Sequence, residues 1–344
     1  MTDVIRFSCR IGLMISLWLW LCVGVACAED AWRRWQERSG PIPAVNQSPI
    51  QLLFLQPEPD RANMIPTGHG VIRLNTTLTN TLVAGESQPY SATLDMEAVR
   101  TALAVTYGVL PALEVAFSLP VIHHYSGVMD RLILDVEEAF GEPREIRGEE
   151  RADEFTCRVQ KDDKVFISGS ENSTGIGDVA LRAKTKIWNQ GDLLPTLSAR
   201  VCLKLPTGDE DRAFGSGETD WGFGLLLEKD LKALSLYLNA DVTFPGEAFD
   251  DADVSVREFY TIMFGTEYPF RPRWSVLLQL NYLTRPFEHA NIDLLDKRIF
   301  EILAGLHYQA GKRLFIQVGG VEDVIGSVDA SADFTFFFNM GLHF

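Results

Sequence analysis

The chain has 344 residues, with 47 Asp and Glu against 31 Lys and Arg and a formal net charge of −16. That acidic surplus excludes a nucleic-acid partner, whose phosphates demand a basic face. Past the first 28 residues no apolar run approaches the length of a spanning helix, which excludes an α-helical membrane protein.

Arg6 and Arg10 form a short basic region, Ile11 to Val25 is apolar, and Ala26-Cys27-Ala28 places small residues at a cleavage point. Residues 1–28 therefore read as a secretory signal peptide, with Glu29 as the first mature residue. Only Cys157 and Cys202 lie beyond it, either as one disulfide of an oxidising compartment or as two buried thiols. Residues 29–67 open with a short helical stretch, Asp30 to Arg38. They continue through Pro41, Pro43, Pro49, Pro57, Pro59 and Pro66, which dictate an extended, irregular course. This segment either docks as a plug in the C-terminal remainder of the chain or hangs free.

From residue 68 onward the apolar residues recur with a period of two, the mark of a strand with one apolar and one polar face. Twelve such segments are expected, at 68–83, 91–108, 112–123, 176–188, 195–206, 218–229, 232–244, 257–269, 273–286, 297–309, 313–323 and 333–344. Leu234, Leu236, Leu238, Ala240 and Val242 oppose Ser235, Tyr237, Asn239, Asp241 and Thr243. Between Met96 and Thr101 the parity slips, so a bulge or a late start is expected in the second strand. Short connections follow the even strands. Long ones follow the odd strands, at 84–90, 124–175, 207–217, 245–256, 287–296 and 324–332. In loop 124–175, Val128, Leu132, Val136 and Phe140 fall on one helical face, and Phe155 to Ser168 reads as a hairpin around Asp162-Asp163.

This rhythm predicts an all-β protein, a transmembrane antiparallel up-and-down barrel of about 12 strands spanning 68–344. Aromatics collect at both ends of the apolar faces, with Tyr107, Tyr268, Trp274 and Tyr308 at one level and Trp221, Phe244, Tyr260 and Tyr282 at the other. They suit the two interfaces of a bilayer. In the last segment Phe338, Met340, Leu342 and Phe344 share one parity, the pattern of a closing strand read by barrel-assembly machinery. Expected partners are therefore outer-membrane lipid and that machinery, and the expected address is the outer membrane of a diderm, Gram-negative bacterium.

Gly175-Ile176-Gly177-Asp178-Val179 opens one strand, Leu203-Lys204-Leu205-Pro206-Thr207-Gly208 closes another, and Gly215-Ser216-Gly217 with Asp220 opens the next. This run resembles the outer-membrane barrels of a phenol-degradation pathway. The wider layout is similar to an uncharacterised bacterial family, domain-of-unknown-function family 3187. It is carried by Pro41 to Pro49 with Asn46-Gln47, by Asp95, Glu97 and Arg100, and by the helix expected after Tyr125. The resemblance covers most of the mature chain; it implies a barrel and supplies no activity and no site residues.

The polar parity would line the lumen. Arg182, Lys184 and Lys186 neighbour Arg200 and Lys204, while Asp220, Glu228, Asp241, Glu267 and Glu301 lie on other strands, as do Glu97 and Glu114. A basic wall facing an acidic wall would orient a polar solute; the same charges would equally pair as a structural network. Antiparallel register puts Lys204 near both Asp178 and Asp220, which favours pairing there. The expected function is a passive channel for small solutes of unspecified identity. The alternative is a non-conducting structural or surface-interaction barrel, and a lipid-modifying enzyme comes last. No His stands at strand spacing with a Ser on an apolar face, so catalytic, metal and cofactor sites are not expected. N-terminal sequencing of the membrane-inserted protein is expected to begin at Glu29; a sequence that begins at Met1 removes the signal-peptide reading.

Overall fold

The structure is a computed structural model describing residues 32–323 and 332–344, apart from 34, 128–154, 250–251, 288–289, 291 and 333. Its strands are β1 (Gly70–Ser87), β2 (Tyr90–Leu110), β3 (Leu113–Tyr125), β4 (Thr156–Lys161), β5 (Lys164–Ser168) and β6 (Ser173–Ile176). They continue with β7 (Val179–Trp188), β8 (Thr196–Leu205), β9 (Asp220–Leu231), β10 (Leu234–Phe244), β11 (Phe259–Arg271) and β12 (Trp274–Leu283). The last three are β13 (Ile299–Gln309), β14 (Leu314–Asp323) and β15 (Phe334–His343). Strands β1–β3 and β7–β15 close into a twelve-stranded antiparallel barrel, because β15 pairs back onto β1 and β3 pairs with β7. The twelve expected segments are present, each within a few residues of its predicted bounds.

Two local expectations are corrected. The connection at 84–90 is no loop: β1 and β2 run on past the other strands and meet at Gln88-Pro89. The β1–β2 register is continuous from Gly70↔Tyr107 to Ser87↔Tyr90, so there is neither a bulge between Met96 and Thr101 nor a late start. From Tyr90 to Gly108 the even residues of β2 face inward, and what changes is the medium they meet. Low in the strand they face a polar lumen. Higher up, Tyr90, Leu94 and Met96 enter an apolar cluster that caps the loop end of the barrel.

That cap is built from loops and from the N-terminal segment together. Ile50, Leu53 and Phe54 pack with Cys157, Val159 and Ile167 of the β4–β5 hairpin and with Phe259, Phe287, Leu294 and Leu295. The hairpin expected within 155–168 is present, turning on Asp162 and Asp163 at φ 48° and 63°. It extends the upper edge of β2, and β6 extends β3. The helical face expected from Val128 to Phe140 lies outside the described residues.

Outside, the other parity forms an exposed apolar belt that includes Leu74, Leu103, Phe223, Ile262, Leu280, Ile302 and Phe338. Trp221 stands opposite Phe244 at the loop end, and Trp274 packs on Tyr308 at 4.4 Å at the turn end. The barrel seam ends where Gly70 and Phe344 exchange both backbone hydrogen bonds at 2.9 Å. A Cβ at Gly70 would lie 2.3 Å from the Phe344 ring, so this close approach needs glycine. The ring also stacks on Tyr107 at 6.4 Å.

Cys157 and Cys202 are both free thiols and both buried. Burial pushes the Cys157 thiol up to about 12. The nucleophile is the thiolate, and its fraction grows only as pH rises through that value. Alkylation of Cys157 by iodoacetamide at pH ~8 is therefore expected to be slow in the folded barrel and fast after unfolding, since an unburied thiol titrates near ~8.5. Equal rates would mean that the apolar cap is open.

Candidate functional site: the lumen and the chain threaded through it

An eight-stranded barrel is about as wide as its own side chains can fill, whereas twelve strands enclose more space. Here main chain occupies it. Residues 39–65 run inside the barrel and touch inward residues on almost every strand. Of the helix expected over Asp30 to Arg38, Trp32, Arg33, Trp35 and Gln36 are helical, Glu37 is a turn and Arg38 is irregular, and the stretch sits at the turn end. There Trp32 stacks on Trp35 at 5.3 Å and on His69 at 4.6 Å.

A Pro-rich strand cannot satisfy its own N–H and C=O groups, and burying them unpaired costs roughly 1–3 kcal/mol each. The lumen side chains supply the partners. Glu267 accepts from the backbone N–H of Ser39 at 3.0 Å and Gly40 at 3.2 Å, and from the hydroxyls of Tyr237 and Ser275. Asp220 accepts from Leu55 N–H at 2.7 Å, Glu228 from Asn63 at 2.8 Å and Glu114 from Ile65 at 2.9 Å. Donors treat the carbonyls likewise. Lys204 Nζ donates to Leu53 O at 2.6 Å, Arg200 Nη1 to Glu58 O at 2.6 Å and Lys184 Nζ to Arg61 O at 2.9 Å.

The proposed lumen-lining charges also pair with one another. Arg200 and Asp241 form a two-pronged contact with both bonds at 2.7 Å. The fork spans β9 at Gly224, where a Cβ would lie 1.8 Å from the Asp241 carboxylate. Lys184 holds Asp60 at 2.7 Å and Glu114 at 2.9 Å, and Arg182 joins the same two at 3.2 and 3.6 Å. Lys204 bridges Asp178 at 2.9 Å and Asp220 at 3.2 Å. Glu301 accepts from Asn46 and Asn281. Lys186 is half-buried near the turn end of β7. The basic strands thus meet their counter-ions locally, rather than facing a separate acidic wall.

Sequence reasoning did not single out Arg61, which links the segment to the wall. Its guanidinium donates to Glu228 at 2.6 and 3.0 Å and to the carbonyls of Trp35 and Arg38 at 2.6 and 3.0 Å, and it lies over the Trp35 ring at 5.0 Å. Gly40, at φ 85°, makes room for it, since a Cβ there would sit 2.7 Å from Arg61 Cγ. On the opposite wall Ile42 and Ala44 pack against Leu277, Leu303, Val321 and Phe337. The side towards β1–β3 and β7 stays less filled. A cleft of about 830 Å³, its open mouth included, runs there between the segment and Arg73, Arg100, Ala104, Ala116 and Arg182. Arg73 and Arg100 were legible as inward by parity, because Ile72 and Leu74 flank Arg73 on the apolar face.

Twelve closed antiparallel strands, an apolar belt between aromatic levels and a polar interior define an outer-membrane β-barrel. The chain belongs to the family described as protein of unknown function (DUF3187), which matches residues 17–344. No curated protein matches its sequence. Among solved structures, the COG4313 outer membrane channel from Pseudomonas putida F1 is similar at a TM-score of 0.55 and 14% identity, over 84% of this chain and 100% of that one. The NanC porin (0.46, 9%, 79% and 98%) and the Ralstonia pickettii toluene transporter TbuX (0.38, 9%, 89% and 94%) also align. At these identities the likeness to the first speaks to fold.

Removing one partner of a buried ion pair leaves the other charge uncompensated, at a cost of about 3–5 kcal/mol. Arg61→Ala is therefore expected to lower the resistance of the barrel to denaturant by about that amount and to weaken the near-ultraviolet circular dichroism of the Trp32–Trp35 pair. Arg61→Met combined with Glu228→Leu recovers most of the loss. An Arg61→Ala protein as stable as the parent would mean that residues 39–65 are not fastened through this pair.

Proposed function

We propose that this barrel is a passive channel for small solutes, held closed in the state described by residues 39–65, and that it reaches the outer membrane after cleavage behind Ala28. The observation that carries this reading is how the lumen is filled. A continuous apolar core would fix the interior for good. Instead a single ribbon lies in it, hydrogen-bonded to side chains on β1, β3 and β7–β13, with a cleft beside it along β1–β3 and β7. Apart from the apolar contacts of Ile42, Ala44 and the cap residues, its fastenings are polar contacts that water can replace, so moving the ribbon aside leaves a largely polar passage.

The reading includes no catalytic step. His123 Nδ1 lies 2.8 Å from Thr174 Oγ1, and His124 stacks on Phe214 at 4.9 Å, so both are engaged in holding the upper end of β3. A non-conducting barrel is the second reading, supported by the apolar cap over the loop end.

Planar-bilayer recording separates the two. The parent protein is expected to show small or rare openings. A Glu228→Gln, Glu267→Gln variant, with its hold on residues 39–63 loosened, is expected to open more often or to a larger conductance. Silence from both proteins, each verified as folded by heat-modifiable gel migration, would sink the channel.

A further inference from the structure

Two arginines on β1 and β2 differ from the three that the ribbon and its neighbouring strands engage. Arg61, Arg182 and Arg200 each hold a carboxylate within 3.2 Å. Among the described residues, Arg73 and Arg100 have neither a hydrogen bond nor an ion pair, although both line the cleft beside β1–β3. Guanidinium stays charged at every accessible pH, so an enclosed one cannot shed its cost by losing a proton. Neither of the acidic groups in reach clasps them in an ion pair. Asp60, whose field reaches Arg73, is held by Lys184 and Arg182. Glu58, the carboxylate facing Arg100, accepts from Ser118 Oγ at 3.3 Å.

The two arginines belong to one track. Thr77 pairs with Arg100 and Arg73 with Ala104, so four residues, roughly 13 Å of strand, separate them along the wall. Asn75 lies midway, opposite Ala102. It is 3% exposed, and both its amide atoms lack a hydrogen-bond partner. Alanines at 102, 104 and 116 keep the facing wall low. Arg73 also lines a second, smaller pocket at the turn end, with Trp35, Gln36, His307 and His343. It therefore stands where the upper cleft and the lower pocket meet.

We propose that small organic anions, carboxylates in particular, pass along the β1–β3 side of the lumen from Arg100 to Arg73, with Arg73 at the junction of the two cavities. The planar fork of a guanidinium matches a carboxylate in two parallel hydrogen bonds. Two such stations hold an anion weakly at more than one point, as conduction requires. This assignment rests on the channel reading and adds to it the charge and chemical class of the solute.

The test is the reversal potential of the full-length protein in planar bilayers under a potassium chloride gradient, repeated with potassium gluconate. The parent channel is expected to prefer the anion. Arg73→Gln and Arg100→Gln are each expected to lower the anion-to-cation permeability ratio about threefold or more, and together to reverse the preference. Arg73→Lys keeps the charge and is expected to keep the preference for chloride, which guards against a Gln variant that merely folds poorly. Lys229→Gln, near the turn end of β9 and outside both cavities, is expected to leave the ratio unchanged. A conducting parent that prefers potassium, or conducting Gln variants with the parental ratio, overturns the anion track and leaves the channel standing. Folded protein silent in both salts overturns the channel, and the track with it.

Discussion

The arrangement depends on one requirement: an extended, Pro-interrupted main chain lies inside a barrel, and its peptide groups have no sheet of their own to pair with. Helices and closed barrels satisfy every backbone group internally; residues 39–65 do neither. Their partners are side chains that project into the lumen. Glu267 alone takes two backbone N–H groups and two hydroxyls, and its 0% exposure is tolerable only because all of these converge on it. The lumen charges are thus explained twice over. They pair with each other across neighbouring strands, and they bond the ribbon that they surround.

The same requirement accounts for small residues that would otherwise look incidental. Gly224 lets the Arg200–Asp241 fork cross β9, and Gly40 lets Arg61 lie against the ribbon. Gly305 and Gly319 admit the Phe337 ring, which with Leu277 and Leu303 gives Ile42 an apolar wall. Steric room at a few backbone positions, and charge at a few side chains, together decide where the ribbon lies.

Parity made the barrel legible. A period of two sorts every strand into a lipid face and a lumen face without any knowledge of partners, and Lys204, predicted beside Asp178 and Asp220, lies within salt-bridge distance of both. Parity was misleading where the medium on one face changes along a strand. In β2 the inward residues pass from Thr106 and Ala104 to Met96, Leu94 and Tyr90 as polar lumen gives way to apolar cap, and the switch mimics a register slip. The course of residues 39–65 was beyond such reading. It depends on contacts between residues more than 150 positions apart, such as Leu55 with Asp220 and Asn46 with Glu301. The prolines announced an extended chain but not where it would lie.

Pairing also sorts the lumen cations by role. Lys184, Arg200 and Lys204 donate to both a carboxylate and a ribbon carbonyl, so their charge is spent on structure. Arg73 and Arg100 line the cleft beside the ribbon, near Ala104 and Ala116, with Glu58 facing Arg100 but not clasping it. If side-chain packing were the whole purpose of this interior, apolar residues of similar volume would serve better at Arg73 and Arg100. The lumen thus holds charges saturated by the ribbon and its wall beside guanidiniums that no carboxylate clasps, a distinction that packing alone does not require.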